Sequence, residues 1–99
     1  MTADSDNNVY GRTLNPNNTF LTAGGSTDGK GALIAMRGSI LGVGADITDS
    51  VHIPSSCNEI YGFKPSSRIF PWSGQQSPSA PGTTNIILSA GPMAIPQIH

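Results

Sequence analysis

The sequence has few charged residues, few aromatic residues and a single cysteine. Charged side chains make up 11% of the 99 residues and aromatic ones 6%, and the formal net charge is −1. A chain with so little net charge offers no basic patch for nucleic acid and no cationic face for an anionic membrane. Cys57 alone cannot form an internal disulfide, which fits a reducing compartment, so we expect a cytoplasmic protein.

Long apolar runs are also missing. None approaches the roughly 20 residues that a membrane-spanning helix requires. The first 20 residues lack the basic and apolar regions of a secretory signal peptide. We therefore expect neither a nucleic-acid partner nor a membrane partner.

Glycine and proline are abundant instead, and together they supply 20 of the 99 residues. They predict one small α/β unit in which short strands and short helices alternate with long loops. We interpret residues 1–19 as a loop-rich flank with a short extended piece at Val9–Tyr10, and residues 20–65 as the core. Residues 66–99 form a Pro-, Ser- and Gly-rich tail with a last apolar strand. Loops this long in so small a chain indicate that the sequence packs inside something larger.

Apolar segments predict the regular elements. Ala32, Leu33 and Met36 favour a helix, and because their run is apolar on nearly all sides we expect it to be buried. Proline is tolerated in the first turn of a helix, so Pro54 allows a second helix that starts at Ser50. The predicted elements are a helix over 29–38, a buried strand over 40–45, a short helix from residue 50, a strand over 60–65 and a strand over 85–94.

Residues 24–31, GGSTDGKG, nearly match the phosphate-binding P-loop. In that loop backbone N–H groups surround the phosphates and a lysine, here Lys30, reaches the outer ones. The next position requires Ser or Thr to hold magnesium, and Gly31 stands there instead. A P-loop domain also needs a parallel sheet that so short a chain cannot build. Nucleotide binding is therefore the remote alternative.

Two loop serines, Ser26 and Ser50, lie 24 positions apart on either side of the apolar helix. A serine in a turn before a helix can act in acyl transfer because backbone N–H groups there stabilise an oxyanion. Such a serine needs a base. His52 follows too closely on the same turn and His99 ends the sequence, so neither suits a Ser-His-Asp arrangement. The residues alone favour a helix-capping role for Ser50.

Longer motifs change this interpretation. Residues 24–35, GGSTDGKGALIA, residues 45–54, ADITDSVHIP, and residues 61–65, YGFKP, resemble the GGSSGGEGALIA, TDIGGSIRIP and YGxKP motifs of the amidase signature family. The run RGSILGVG is most similar to that of fungal general amidases and acetamidases. The resemblance implies that the chain is a fragment of that family's α/β, mixed-sheet core.

The resemblance also implies a reaction, the hydrolysis of a carboxylic amide to an acid and ammonia or an amine, without a cofactor or a metal. Ser50 aligns with the nucleophile, and Ser26 aligns with a bridging serine that follows a cis peptide and passes its proton to a lysine. Thr27 keeps a hydroxyl beside it. The backbone N–H groups that align with the oxyanion hole are those of Ile47, Thr48, Asp49 and Ser50.

The sequence departs from the family pattern at catalytic positions. The family's catalytic lysine precedes the glycine loop on a segment that these 99 residues do not contain, and neither Lys30 nor Lys64 aligns with it. Thr48 and Asp49 replace paired glycines, and a carboxylate ~5 Å from an oxyanion, at an effective dielectric of ~20, costs about 3 kcal/mol. Asp46 is expected to brace the nucleophile loop. We therefore expect no amidase activity from this chain alone, and the alternative function is a docking or regulatory partner of a full-length amidase.

Overall fold

The computed structural model describes residues 3–71, 73–74, 80–83 and 86–96, so His99 lies outside the described residues. Short strands and short helices joined by loops form a small α/β unit, as the sequence predicts. In chain order the elements are β1 (Asp6–Asn7), β2 (Gly11–Arg12), α1 (Asp28–Ala35), β3 (Leu41–Asp46), α2 (His52–Cys57), β4 (Tyr61–Gly62) and β5 (Ser89–Ala94).

Three strands form the sheet that carries the core, in the order β3-β5-β4. Leu41 of β3 and Tyr61 of β4 both pair with Ala94 of the central strand, and both pairings are antiparallel. The mixed sheet that the resemblance implies is therefore not formed among the described residues. Within the described residues, the predicted strand 60–65 is reduced to β4 (Tyr61–Gly62), and the predicted strand 85–94, of which Asn85 lies outside the described residues, is reduced to β5 (Ser89–Ala94). The β4 ladder ends at Gly62, and the N–H of the next residue, Phe63, donates to the carbonyl oxygen of Pro92 at 3.0 Å.

The N-terminal flank contains a small hairpin rather than an extended piece at Val9–Tyr10. The Oδ1 atom of Asn7 accepts hydrogen bonds from the N–H groups of Val9 (3.0 Å) and Tyr10 (2.8 Å). These two residues therefore belong to the turn between β1 and β2, which pair antiparallel. The prediction is wrong because an asparagine side chain that bonds to the backbone two and three residues on favours a turn over extended chain.

Helix α1 is buried on one side only. Ala32 and Ile34 are buried, whereas Leu33 and Met36 are exposed. Helix α2 and the sheet pack against the buried side, whereas Leu33 and Met36 on the other side are 48% and 68% exposed. The helix itself is confirmed, but the expectation of burial on nearly all sides is wrong, because propensity does not tell how many neighbours a helix has. Neither helix, of eight and six residues, is long and apolar enough to cross a membrane.

Strand β3 lies at the edge of the sheet and alternates between two environments. Gly44 and Asp46 face the helices and are buried, whereas Leu41 and Val43 face outward and are 58% and 47% exposed. The predicted strand over 40–45 is confirmed within one residue. Its predicted burial is wrong, because only one face of this edge strand is covered.

The core lies between the sheet and both helices. It consists of Ile34 of α1, Met93 of β5, Val51 directly before α2 and Ile60 directly before β4. Full burial of such side chains contributes about 1.5–3 kcal/mol each to the free energy of unfolding. Val51 follows Ser50 directly, so the same packing that stabilises the fold also fixes the loop before α2.

Both helices end in the same backbone motif. Arg37 after α1 and Glu59 after α2 have left-handed φ values of 62° and 57°. The next residue in each case, Gly38 or Ile60, donates its N–H to the carbonyl oxygen five residues earlier, at 2.9 and 3.0 Å. These are Schellman motifs, in which glycine is the usual left-handed residue. They turn the chain from α1 into β3 and from α2 into β4.

Candidate active site

The loop that carries Ser26 and the loop that carries Ser50 meet over one residue of β3, Gly44. A Cβ atom on Gly44 would lie 2.9 Å from Cγ2 of Thr27 and 2.9 Å from Cγ2 of Val51. These methyl groups, each on the residue after a candidate serine, are thus no further apart than twice 2.9 Å. Residues that lie 24 positions apart in the sequence therefore share one small region above the sheet.

The glycine loop is fixed on both sides of Ser26. The peptide bond between Gly25 and Ser26 is cis, in agreement with the resemblance. The hydroxyl of Thr27 donates to the carbonyl oxygen of Ala45 at 3.3 Å, which ties the loop to the end of β3. A Cβ on Gly25 would lie 2.6 Å from the backbone nitrogen of Asp4, so the N-terminal flank crosses the loop. Ser26 itself is exposed.

The start of α1 does not favour phosphate. Asp28 is the first residue of the helix and is buried, and its Oδ1 atom accepts from Ser5 Oγ at 2.7 Å and from the N–H of Gly29 at 2.9 Å. A buried carboxylate therefore stands where a P-loop would hold a phosphate, and two anions repel each other. The side chain of Lys30 lies along Gly42 of β3, where a Cβ would be 2.6 Å from Lys30 Cδ.

Ser50 lies in the loop between β3 and α2 and is 4% exposed. The capping position of α2 is Val51, and no side chain caps this helix. The predicted helix start at Ser50 is thus two residues too early, and the capping role that the residues alone favour is wrong. The side-chain oxygen of Ser50 forms no hydrogen bond with another described residue. Its hydroxyl is not committed to a structural contact within that part of the chain.

Asp46 braces the nucleophile loop, as expected. Its buried carboxylate accepts from the N–H of Val51 at 2.7 Å through Oδ2 and from Lys64 Nζ at 2.8 Å through Oδ1. The Nδ1 atom of His52 lies 3.6 Å from Oδ2. Burial alone raises the pKa of Asp46, but the hydrogen bonds from Lys64 and Val51 outweigh it and hold the pKa below its ordinary value. The carboxylate is therefore ionised at neutral pH, and it holds Val51, the N-cap residue of α2, in place.

Lys64 is the supporting residue that the sequence reasoning missed. Its Nζ atom lies 2.8 Å from Asp46 Oδ1, 3.0 Å from the carbonyl oxygen of Thr48 and 3.5 Å from that of Ile47. The sequence contained one signal for this role, since a buried aspartate requires a counter-charge and the chain has only five lysines and arginines. The lysine of the YGxKP motif, 18 positions downstream, was the candidate.

The family can now be stated from comparison with known proteins. Residues 1–95 match the family model described as Amidase. The chain belongs to the Amidase family. It is 44% identical over 91 residues to an amidase of Gibberella moniliformis, 43% over 94 residues to an acetamidase of Aspergillus oryzae, and 41% over 93 residues to fatty-acid amide hydrolase 2 of Homo sapiens. These alignments cover 92%, 95% and 94% of this chain and 17% of each relative, so the chain spans about one sixth of the length of the curated relatives it matches.

Asp49 of this amidase-family chain replaces a glycine of the family loop, and its side chain is exposed. The carboxylate of Asp49 is 62% exposed, and its Oδ1 atom lies 3.7 Å from Nδ1 of His52. Water screens a carboxylate that is so exposed, which makes its repulsion of an oxyanion smaller than the sequence-based estimate. Among the described residues no group of three or more His, Cys, Asp and Glu is placed to hold a metal ion.

Asn58 ties the glycine loop to α2 and was also missed. Its buried Nδ2 atom donates to the carbonyl oxygens of Ala23 at 2.7 Å and Pro54 at 2.8 Å. A Cβ on Gly31 would lie 3.0 Å from the same Nδ2 atom, so α1 packs directly against this amide. One side chain therefore links the residue before the glycine loop, the first helix and the second helix.

Proposed function

We propose that this chain supplies the nucleophile-bearing part of an amide hydrolase. The Oγ atom of Ser50 attacks the carbonyl carbon of a carboxylic amide, and its proton passes to Ser26 and from there to a lysine outside these 99 residues. The tetrahedral intermediate then expels ammonia or an amine, which takes up that proton, and water hydrolyses the acyl-serine. The convergence of the two serine loops at Gly44 is the observation that supports this proposal. No cofactor is needed, and a cytoplasmic setting suits the free thiol of Cys57.

The isolated chain is expected to be inactive because neither Lys64 nor Lys30 aligns with the family's catalytic lysine. Lys64 is surrounded by three acceptors, and the side chain of Lys30 lies along β3 at Gly42. Without a proton acceptor, serine is a weak nucleophile at neutral pH. Purified chain incubated with acetamide should therefore release no ammonia above the rate in buffer. Ammonia release that is lost in Ser50→Ala would contradict this expectation.

A graft tests the proposal itself. Residues 1–95 replace the matched stretch of the Aspergillus oryzae acetamidase, whose remaining 83% would supply the missing parts. We expect acetamide hydrolysis, with a loss of about 10⁴-fold or more in kcat for Ser50→Ala and a large loss for Ser26→Ala. Ser56→Ala is the matched control, because Ser56 is an exposed serine of α2, and it should leave kcat within about twofold. A folded but inactive graft, or full activity in Ser50→Ala, overturns the proposal.

A second candidate function rests on the outer face of the sheet. Leu41, Val43, Tyr61 and Phe63 are all exposed there. A depression of about 330 Å³ on this face is lined by Tyr61, Gly62, Phe63, Pro92 and Ala94. Contiguous exposed apolar surface beside an edge strand marks an interaction site. The chain in this view docks on a full-length amidase and regulates it.

Size-exclusion chromatography of the chain mixed with full-length Aspergillus oryzae acetamidase tests this second candidate. A complex that is lost in Val43→Lys supports docking through the outer face. Val9→Lys is the control, since Val9 is also exposed, at 78% against 47% for Val43, but lies in the turn between β1 and β2. If the two proteins elute separately at all concentrations, the docking function is wrong.

A further inference from the structure

We propose that Lys64 is a positioning residue whose ammonium group sets the direction of the N–H groups of Thr48 and Asp49, so that both face a developing oxyanion. The orientation follows from the contacts of the loop. Its catalytic consequence rests on the proposed amide hydrolysis. Of the four backbone N–H groups that align with the oxyanion hole, this leaves those of Thr48 and Asp49 as the candidate donors.

The contacts of Lys64 match its donors one for one. An ammonium group carries three N–H donors. Three acceptors surround Nζ, namely Asp46 Oδ1 at 2.8 Å, the carbonyl oxygen of Thr48 at 3.0 Å and the carbonyl oxygen of Ile47 at 3.5 Å. The buried Asp46 carboxylate fixes the position of Nζ, and Nζ in turn draws two consecutive carbonyl groups to the same side of the loop.

The geometry of the peptide group then fixes the direction of the N–H groups on the opposite side of the loop. In a trans peptide the C=O and N–H bonds point in opposite directions across the same plane. The cis bond in the described chain is Gly25–Ser26, so the two peptides after Ile47 and Thr48 are trans. Since their carbonyls face Lys64, the N–H groups of Thr48 and Asp49 face away from it. Neither N–H donates to another described residue.

Two successive N–H groups that point to one side form a concavity that binds anions. Donors of this kind act on the transition state because they are aimed at the charge before it develops. The family's glycines at these positions leave the loop flexible by themselves, whereas Thr48 and Asp49 carry side chains that restrict the backbone. A half-buried cation that contacts both carbonyls keeps this loop in the required conformation.

Residual dipolar couplings test the orientation in the whole 99-residue chain, because they report the direction of each N–H bond. In Lys64→Met we expect the ¹⁵N–¹H couplings of Thr48 and Asp49 to change beyond error. The coupling of Val51 should stay, because Asp46 still accepts from its N–H. Lys30→Met is the matched control, with the same substitution at a lysine outside the loop, and it should leave all three couplings unchanged. Unchanged couplings at Thr48 and Asp49 in Lys64→Met overturn the proposal, as does an equal change at Val51, which would indicate a general loss of loop structure.

A measurement on the unsubstituted chain covers the case in which Lys64→Met does not fold. Scalar couplings across the hydrogen bonds from the Lys64 ammonium nitrogen to the carbonyl carbons of Ile47 and Thr48 should be detectable. The N–H vectors of Thr48 and Asp49 should lie on the far side of the loop. Absence of both the Thr48 coupling and this vector orientation overturns the proposal.

The catalytic consequence is read in the acetamidase graft. Lys64→Met should lower kcat by about 100-fold and change KM by no more than about threefold, because the donors act on the transition state rather than on bound substrate. Equal kcat in Lys64→Met and in the unsubstituted graft overturns the positioning role even if the couplings change. A graft that is inactive with Lys64 present, while the couplings behave as expected, instead contradicts the proposed hydrolysis and leaves the loop orientation standing.

Discussion

The side chains of Thr27 and Val51 reach the same point of β3, and Gly44 is the residue that leaves room for both. Each methyl group lies 2.9 Å from the position that a Cβ on Gly44 would take. Because Thr27 follows Ser26 and Val51 follows Ser50, a single backbone position on an edge strand sets how closely the two serine loops approach. The packing of side chains around Gly44 therefore also determines the geometry of the candidate site.

We expect Gly44→Ala to lower the free energy of unfolding by about 1–3 kcal/mol, because the added methyl overpacks a site whose two nearest neighbours, Thr27 and Val51, are stiff β-branched side chains. Its Cβ would also lie 3.0 Å from Sδ of Met93, beneath the two loops. Urea denaturation followed by circular dichroism measures the change. Gly29→Ala is the matched control, since a Cβ there meets nothing within 4 Å, and in a helix it should raise the free energy of unfolding by about 0.5–1 kcal/mol. Equal stability of Gly44→Ala and the unsubstituted chain would show that the loops are not held by this contact.

Asn58→Asp should destabilise the chain by more than about 3 kcal/mol at neutral pH. The substitution replaces an N–H donor that serves the carbonyl oxygens of Ala23 and Pro54 with a buried negative charge beside them. Asn18→Asp is the control, because Asn18 is exposed and its side chain only accepts from the N–H of Phe20, which a carboxylate also does. The control should change the free energy of unfolding by no more than about 0.5 kcal/mol. A small effect at Asn58 would mean that the glycine loop does not depend on α2.

The regular elements were predictable where local chemistry decides them. Ala32 and Leu33 have high helix propensity. The glycines of 24–31 and 40–45 mark the loop and the strand between the two serines. Which face of each helix or strand is buried was not predictable, because the pattern of apolar residues does not show whether another element packs against that face. Val43 illustrates this limit: valine is typical of buried strands, yet this side chain is exposed to solvent.

The candidate site divides in the same way. The motifs identify Ser26 and Ser50 as the candidate pair, and their roles stay predictions. The contact of Lys64 with Asp46 joins residues 18 positions apart and depends on how β3 and the segment after β4 lie side by side. No local pattern in the sequence encodes that distance. The motif marks Lys64 in the sequence, but its contact with Asp46 is visible only in the fold.

Glu59→Gly should raise the free energy of unfolding by about 1 kcal/mol, because the left-handed conformation at φ 57° is unfavourable for any residue with a Cβ. The Schellman hydrogen bond from the N–H of Ile60 to Ser55 at 3.0 Å does not involve the Glu59 side chain, so it should remain. Glu59→Ala separates the two contributions, since it removes the same carboxylate and keeps the Cβ. A gain in Glu59→Ala equal to that in Glu59→Gly would show that the charge, not the backbone, is responsible. Thermal denaturation of the three proteins in parallel makes the comparison.

Stability should fall as the solution is acidified through the folded-state pKa of Asp46. That pKa is held below its ordinary value of 3.8 by hydrogen bonds from Lys64 and Val51 that outweigh the effect of burial. Between the two values the unfolded chain binds the proton and the folded chain does not, so the free energy of unfolding rises with pH there. The contribution of Asp46 is complete above its ordinary pKa and is lost as the pH drops through the folded one.

Urea denaturation between about pH 2.5 and 6 measures this dependence, and the difference between the unsubstituted chain and Asp46→Asn isolates the share of one carboxylate. The difference should be largest near neutral pH and shrink on acidification. In a Lys64→Met background the same difference should be smaller, because burial, which raises the pKa, then meets less opposition. Parallel pH profiles for the unsubstituted chain and Asp46→Asn would show that this carboxylate is not held ionised by the contacts around the nucleophile loop.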